Sequence, residues 1–313
     1  MYTLKQLLEM KPPVWLVESI IPEGGLVALY GQPGDGKSFI ALDIALSIAS
    51  GIPWQGHEAR KGYVVYISAE GGAGIAKRVG AWLEHHRVSR REMGYLFANF
   101  VVSAVRVHAE SEDLADMVSR TVEHPEYLEM VANATDPDDT APLPLFIVVD
   151  TLARCFQGDE NLQEDMGNFI KGLDTLREAH DATVLVVHHT GRKGVEERGS
   201  SSFRGACDTM MAVVRDKDNG TMVLSCTKQK DHEDFPDEIL ELRLVPSWDS
   251  CAVESTVLRQ QKEVTEETLA IQSYLEDNPG TPVREVAAAL GLSHGTAQRR
   301  MKQIESKTPL GTP

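Results

Sequence analysis

Lys37 and Ser38 close the stretch Gly31-Gln32-Pro33-Gly34-Asp35-Gly36-Lys37-Ser38, which has the pattern G-x-x-x-x-G-K-[ST] of a phosphate-binding loop. Glycines let the backbone wrap a polyphosphate closely, so successive N–H groups and the positive end of a following helix can point at its oxygens. Lys37 adds a mobile cation for the terminal phosphates, and the Ser38 hydroxyl is a candidate Mg²⁺ ligand. The candidate nucleotide ligands are therefore Gly31, Gln32, Pro33, Gly34, Asp35, Gly36, Lys37, Ser38 and Phe39. Two carboxylates join them. Glu70 follows Tyr63-Val64-Val65-Tyr66-Ile67-Ser68 and could orient and deprotonate the water that attacks a γ-phosphate. Asp150 ends Leu145-Phe146-Ile147-Val148-Val149 and could hold Mg²⁺ beside Ser38. A third apolar run, Thr183 to Val187, leads into His188-His189. Adjacent strand residues point to opposite faces, which is poor geometry for chelating a metal, so one of the pair is better read as a polar sensor near the γ-phosphate.

Positioning these groups requires strands that end at one edge. Leu26 to Tyr30, Tyr63 to Ser68, Leu96 to Val102, Leu145 to Asp150 and Thr183 to Val187 read as buried strands. Helical patterns over 39–46, 75–86, 111–132 and 162–180 lie between them, which is the alternation of an α/β fold. In such folds ligands bind at the carboxyl ends of the strands, where Lys37, Glu70, Asp150 and the histidines all fall. Gly51-Ile52-Pro53 should end the first helix, and 136–142 reads as a polar loop. Three further strands, 210–214, 221–227 and 238–245, follow, and Asp218-Asn219-Gly220 marks a hairpin. Residues 1–25 read as an N-terminal arm, either packed on the core or reaching a neighbouring subunit.

Two stretches carry local positive charge in a chain whose net charge is −16. From Gly191 to Arg204 the cations Arg192, Lys193, Arg198 and Arg204 outnumber Glu196 and Glu197 on glycine hinges, a composition suited to facing phosphate. The second lies near the C-terminus. Residues 251–264 read as a linker, and 265–313 as a small all-α unit with a helix-turn-helix over Val283 to Ile304. From Pro282 to Lys307 five cations meet two acids, a net of +3 that leaves −19 for the rest. Arg299, Arg300 and Lys302 on the last helix are the candidate duplex-DNA contacts, with a protein-docking cap as the alternative use of the same helices. No apolar run is long enough to span a membrane, and the N-terminus lacks a signal-peptide layout. Four cysteines at 155, 207, 226 and 251 form no C-x-x-C pair, which fits a reducing cytoplasm.

In order, Gly31 to Ser38, Ile67 to Glu70, Val148 to Asp150, Val187 to His189, Arg198-Gly199-Ser200-Ser201 and Lys228-Gln229-Lys230 resemble the motifs of the RepA-type hexameric helicases of plasmids and phages, within the RecA/DnaB superfamily of ATPases. The resemblance covers roughly residues 12–245 and implies a RecA-like, mostly parallel twisted sheet flanked by helices over 1–250. It further implies ATP and Mg²⁺ as cofactors, Lys37, Glu70, Asp150 and His189 (or His188) as catalytic residues, and Arg198 as an arginine finger serving the adjacent subunit. Lys230 stands where the related K-x-R segment has arginine and lacks its bidentate fork. The implied protein is a homo-oligomer, a hexameric ring with single-stranded DNA at its centre, in the cytoplasm of a bacterial or phage-infected cell. Two other functions remain open on the sequence: an ATPase that loads or regulates other proteins on DNA, and an ATP-controlled transcriptional regulator.

Overall fold

Apolar runs as unbroken as 26–30 and 183–187 must be covered on both faces, which parallel strands achieve through helical crossovers. The computed structural model describes residues 14–68, 72–89, 100–103, 143–155, 158–189 and 201–307, with isolated positions 3, 4, 93, 96 and 123 besides. Apart from Glu123, the predicted helix over 111–132 lies outside the described residues, as do the loop at 136–142 and Leu7 and Leu8 of the N-terminal arm.

Strands β1 (Trp15–Val17) and β2 (Ile21–Pro22) pair antiparallel and precede β3 (Leu26–Gly31). Helix α1 (Lys37–Ser50) follows the loop, then β4 (Tyr63–Ser68), α2 (Gly72–His85), β5 (Phe100–Ser103) and β6 (Leu145–Asp150). Next come α3 (Leu152–Cys155), α4 (Gln163–His180), β7 (Ala182–His189), α5 (Ser201–Ala206), β8 (Thr209–Arg215), β9 (Met222–Gln229), β10 (Glu238–Val245) and β11 (Ser250–Ser255). Among the described residues these build a nine-stranded sheet ordered β11-β10-β9-β8-β3-β7-β6-β4-β5. From β8 to β5 every pairing is parallel, whereas β9 runs antiparallel to β8 and β10. This is the α/β sheet that the alternation of elements predicts, mostly parallel as the RecA-like resemblance implies.

Period-two alternation divides the core. Val27, Leu29, Tyr66, Val148 and Val187 face a layer with Ile40, Ile44 and Ile48 of α1. Leu26, Ala28, Ile67, Val149 and Val186 face the other, with Met166, Leu173 and Leu176 of α4. The first helix ends as expected, with Gly51 at φ 74° donating to the Ser47 carbonyl. Leu16, Val17, Ile20 and Ile21 are fully buried, so this part of the N-terminal arm is packed on the core, whereas Leu4 and Val14 are exposed.

The stretch 251–264, expected as a linker, is regular instead. It contains most of β11 and the start of α6 (Thr256–Asp277). No glycine or proline interrupts it, and Ser255 caps the helix by accepting from Leu258 N at 3.4 Å. Thr265, where the all-α unit was expected to begin, lies inside the helix and donates back to the Gln261 carbonyl at 2.9 Å. By contact density the chain divides into Met1–Glu254 and Ser255–Pro313. The second unit holds α6, α7 (Val283–Ala289) and α8 (His294–Lys307) around buried Ile271, Val286 and Ala297. Among the described residues no helix is long and apolar enough to cross a membrane.

Helices α1 and α2 are fixed to each other by a buried carboxylate. Asp43, 2% exposed, accepts from Trp54 Nε1 at 2.8 Å, Gln55 Nε2 at 2.9 Å and Trp82 Nε1 at 2.7 Å. Asp43→Ala strands the two buried indole donors, each worth about 1–3 kcal/mol when left unsatisfied in the interior, while Gln55 keeps its bond to the Val253 carbonyl. Urea unfolding should therefore register a loss of roughly 3–5 kcal/mol. A loss below about 1 kcal/mol would mean that water replaces the carboxylate freely.

Candidate nucleotide-binding site

Parallel register brings the candidate residues to one edge. Gly31 pairs with His189 on one side and with Val213 on the other, Asp150 with Val187, and Ser68 with Asp150. Side-chain parity then selects a face. Tyr66, Asp150, His189 and Arg215 each continue the alternation of residues that pack toward α1, so all four meet the start of that helix.

The loop itself shows why glycine is needed. Gly34 and Gly36 adopt φ 90° and 91°, and a Cβ on Gly31 would lie 2.4 Å from the Val213 carbonyl oxygen. Helix α1 starts at Lys37 with no side-chain cap and no acid in its first turn, leaving its positive end to a ligand. Asp35 is turned inward and accepts from Gln32 N at 2.8 Å, so it shapes the loop from within. Lys37 is 5% exposed and donates to the carbonyls of Gly31 at 2.9 Å and Gln32 at 2.7 Å.

At the floor lies Asp150, 6% exposed. Its Oδ1 accepts from Ser38 Oγ at 3.0 Å, and its Oδ2 from the Tyr66 hydroxyl at 2.7 Å. A hydroxyl and a carboxylate beside a phosphate loop form the hard-oxygen pair that Mg²⁺ accepts, its other positions going to phosphate and water. Among the described residues no cluster of three His, Cys, Asp or Glu could hold a metal without such help. Cys155, also near Asp150, has its thiol pushed up to about 12 by burial and by the Asp150 charge, so it stays protonated.

A cleft of roughly 360 Å³ opens above this floor, at the lower end of the range of small-ligand sites. Pro33, Gly34, Gly36, Lys37, Ser38, Phe39, Arg78, Thr151, His189, Arg215 and Leu242 line it. The two histidines separate as strand geometry requires. His189 is on the cleft wall, while His188 is 1% exposed and meets the Phe203 ring edge-on at 6.0 Å. Glu70, Arg192, Lys193 and Arg198 lie outside the described residues. Arg204 donates to the Thr227 carbonyl at 3.1 Å, so its guanidinium is engaged with β9. Lys228 donates to the carbonyls of Arg204, Gly205 and Cys207 at the end of α5. Lys230 pairs with Asp208 at 3.3 Å, and Asp208 binds Leu26 N at the opposite edge of the sheet. That position removes Lys230 from its own chain's cleft.

Sequence reasoning missed Tyr66, Arg78 and Arg215. Tyr66 carries a usable signal, because it shares strand parity with Ser68 and so faces the same helix as Asp150. Arg78 sits over the Phe39 ring at 4.5 Å, a contact between two helices that no local pattern announces.

In the C-terminal unit Ser293 caps α8 through Thr296 N at 3.1 Å, after a turn in which Gly291 takes φ 67°. Gln298, Arg299 and Lys302 are exposed along one face of α8. Arg300 departs from the expectation of a DNA contact. Its Nε donates to Glu267 of α6 at 2.9 Å and its side chain is 15% exposed, because position 300 falls on the inward face near Ala297 and Ile304.

Tyr66→Phe should lower the stability of the ligand-free chain by about 1.5–3 kcal/mol in urea, the range for a hydrogen bond to a charged group. An unchanged midpoint and slope would mean that Asp150 is held by Ser38 and its other contacts alone.

Comparison with known proteins agrees with this geometry. No curated protein sequence matches the chain. Residues 268–307 match the model of a winged helix-turn-helix DNA-binding family. Residues 5–195, more than half of the chain, match the model of an AAA domain and include the phosphate loop, Asp150 and His189. The chain therefore belongs to the AAA-domain family of ATPases.

Proposed function

We propose that this chain is an ATP-hydrolysing DNA motor, a replicative helicase of the RepA type that works as a ring through an arginine finger from the adjacent subunit. The observation that carries the proposal is the convergence of Lys37, the Ser38–Asp150 pair and His189 on one cleft, in a chain that also carries a helix-turn-helix. In the motor reading Lys37 exchanges its loop carbonyls for the terminal phosphates. Ser38 and Asp150 would hold Mg²⁺, whose charge would offset that of the phosphates. Glu70, two residues beyond the end of β4, orients the attacking water and takes its proton. His189 senses the γ-phosphate from the cleft wall, and Arg198 of a neighbouring copy stabilises charge in the transition state.

Arg192 and Lys193 face single-stranded DNA in the ring centre, where Arg204 would first have to leave the Thr227 carbonyl. Arg299 and Lys302 contact duplex phosphates from the exposed face of α8. A hexamer is the assembly proposed, in keeping with the resemblance and with the order Lys37, Glu70, Asp150, His189, Arg198.

Strand displacement on a forked duplex, measured beside DNA-stimulated ATP hydrolysis, tests the motor directly. The wild-type chain should unwind, and Lys37→Ala should lose on the order of a hundredfold or more in hydrolysis and all unwinding. Stimulated hydrolysis without unwinding would favour a loader of other proteins. Site-specific duplex binding with weak hydrolysis would favour a transcriptional regulator.

The DNA-binding face has its own test. Replacing Arg299 and Lys302 by Ala should weaken duplex binding and flatten the slope of log K against log salt by roughly two, about one per lost phosphate contact. The same affinity and slope in a variant with an unaltered melting temperature would leave the three helices as a protein-docking cap.

A further inference from the structure

We infer that Arg215 is a nucleotide ligand contributed by the chain's own fold, placed to bind the terminal phosphate of a triphosphate. The inference rests on the nucleotide-binding reading of the cleft and adds a residue to it.

Position is the first argument. Strand β8 pairs in parallel with β3 and sets Val213 opposite Gly31, so Arg215 extends two residues past the point where the phosphate loop begins. Met211 and Val213 pack toward α1, and the same parity directs Arg215 to the face that carries Asp150 and His189. Its side chain lines the cleft with Lys37 and Ser38.

Charge is the second. Among the described residues no carboxylate lies within ion-pair distance of Arg215, in a chain whose net charge is −16. Its bonds are long and go to neutral acceptors: Nη1 to the Gly34 carbonyl at 3.5 Å and Nε to the Gly220 carbonyl at 3.4 Å. Both are near the outer limit of useful hydrogen bonding. An anionic phosphate oxygen offers shorter, charge-assisted bonds, and the planar fork of arginine suits it better than a point charge would. Exchange of the carbonyls for phosphate is therefore downhill.

The base of the side chain is also fixed. Arg215 enters a tight hairpin in which Asp216 N donates to Thr221 O and Gly220 N to Asp216 O, both at 2.8 Å. A guanidinium on a rigid strand end, beside the strand that carries the loop, needs no neighbouring subunit to reach its own cleft. That separates it from Arg198, which is proposed to act across an interface.

The test compares equilibrium binding of fluorescent mant-ATPγS and mant-ADP to the full chain, with Arg215→Ala and Arg215→Lys alongside wild type. Arg215→Ala should lose on the order of ten- to a hundredfold in triphosphate affinity while holding the diphosphate nearly as before. Arg215→Lys should recover only part of that loss. The selectivity should persist at dilutions where sedimentation shows monomers. An unchanged triphosphate-to-diphosphate ratio in Arg215→Ala overturns the inference. So does an equal loss for both nucleotides with a lowered melting temperature, which would make Arg215 a pin between hairpin and loop. Selectivity that appears only in assembled chains would place Arg215 in a neighbour's site and overturn the own-chain assignment. Failure of the wild-type chain to bind either probe would instead bring down the nucleotide reading itself, and this inference with it.

Discussion

In the parallel ladder β4-β6-β7-β3-β8, backbone hydrogen bonds set Ser68 opposite Asp150, Asp150 opposite Val187, and Gly31 between His189 and Val213. A slip of one residue in any of these pairings would turn an entire strand's side chains to the other face. Here that would exchange Asp150 for Val149 at the floor of the cleft, or His189 for His188 on its wall. The cost of such a slip is high because both faces are covered. Val149 belongs to the layer packed on α4, and Val148 to the layer packed on α1. Burial of aliphatic side chains far from the cleft is thus what holds the polar groups in place.

The phosphate loop depends on the same ladder from behind. Gly31 lies against the Val213 backbone carbonyl, which leaves no room for a Cβ, and Gly36, at φ 91°, lies against the Met222 sulfur. The loop is pressed between α1 and the β8–β9 hairpin, and its curvature is set by those neighbours as much as by its own glycines. Asp43 extends the constraint to α2 through the Trp82 indole.

The two units use charge differently. In the larger one Arg177 binds the Gly24 carbonyl and Asp208, joining α4 to the start of β3, and Lys228 holds the end of α5. These cations are structural. In the smaller unit Arg300 has the same kind of role, pairing with Glu267, while Arg299 and Lys302 remain exposed. Counting cations along a helix therefore overstates what it offers to a phosphate backbone, because helical periodicity turns some of them inward.

Much of this was legible in the sequence. Gly31 to Ser38 identifies itself, since a polyphosphate cradle needs glycine, lysine and a hydroxyl at fixed spacing within about eight residues. The apolar runs ending at Tyr30, Asp150 and Val187 revealed the strands, because fully covered parallel strands have no polar face to interrupt them. Adjacent histidines had to part, because side chains alternate along a strand. Other features arise only from contacts between residues distant in the chain. Tyr66 reaches Asp150 across 84 positions, and Arg215 reaches Gly34 across 181. Nothing local distinguishes Arg215 from any charged residue at the head of a hairpin; it enters the cleft because β8 crosses over to pair beside β3. The stretch 251–264 was misread for the opposite reason. Its polar composition resembles a linker, but with no glycine or proline to break it, pairing with β10 and the Ser255 cap decide its structure.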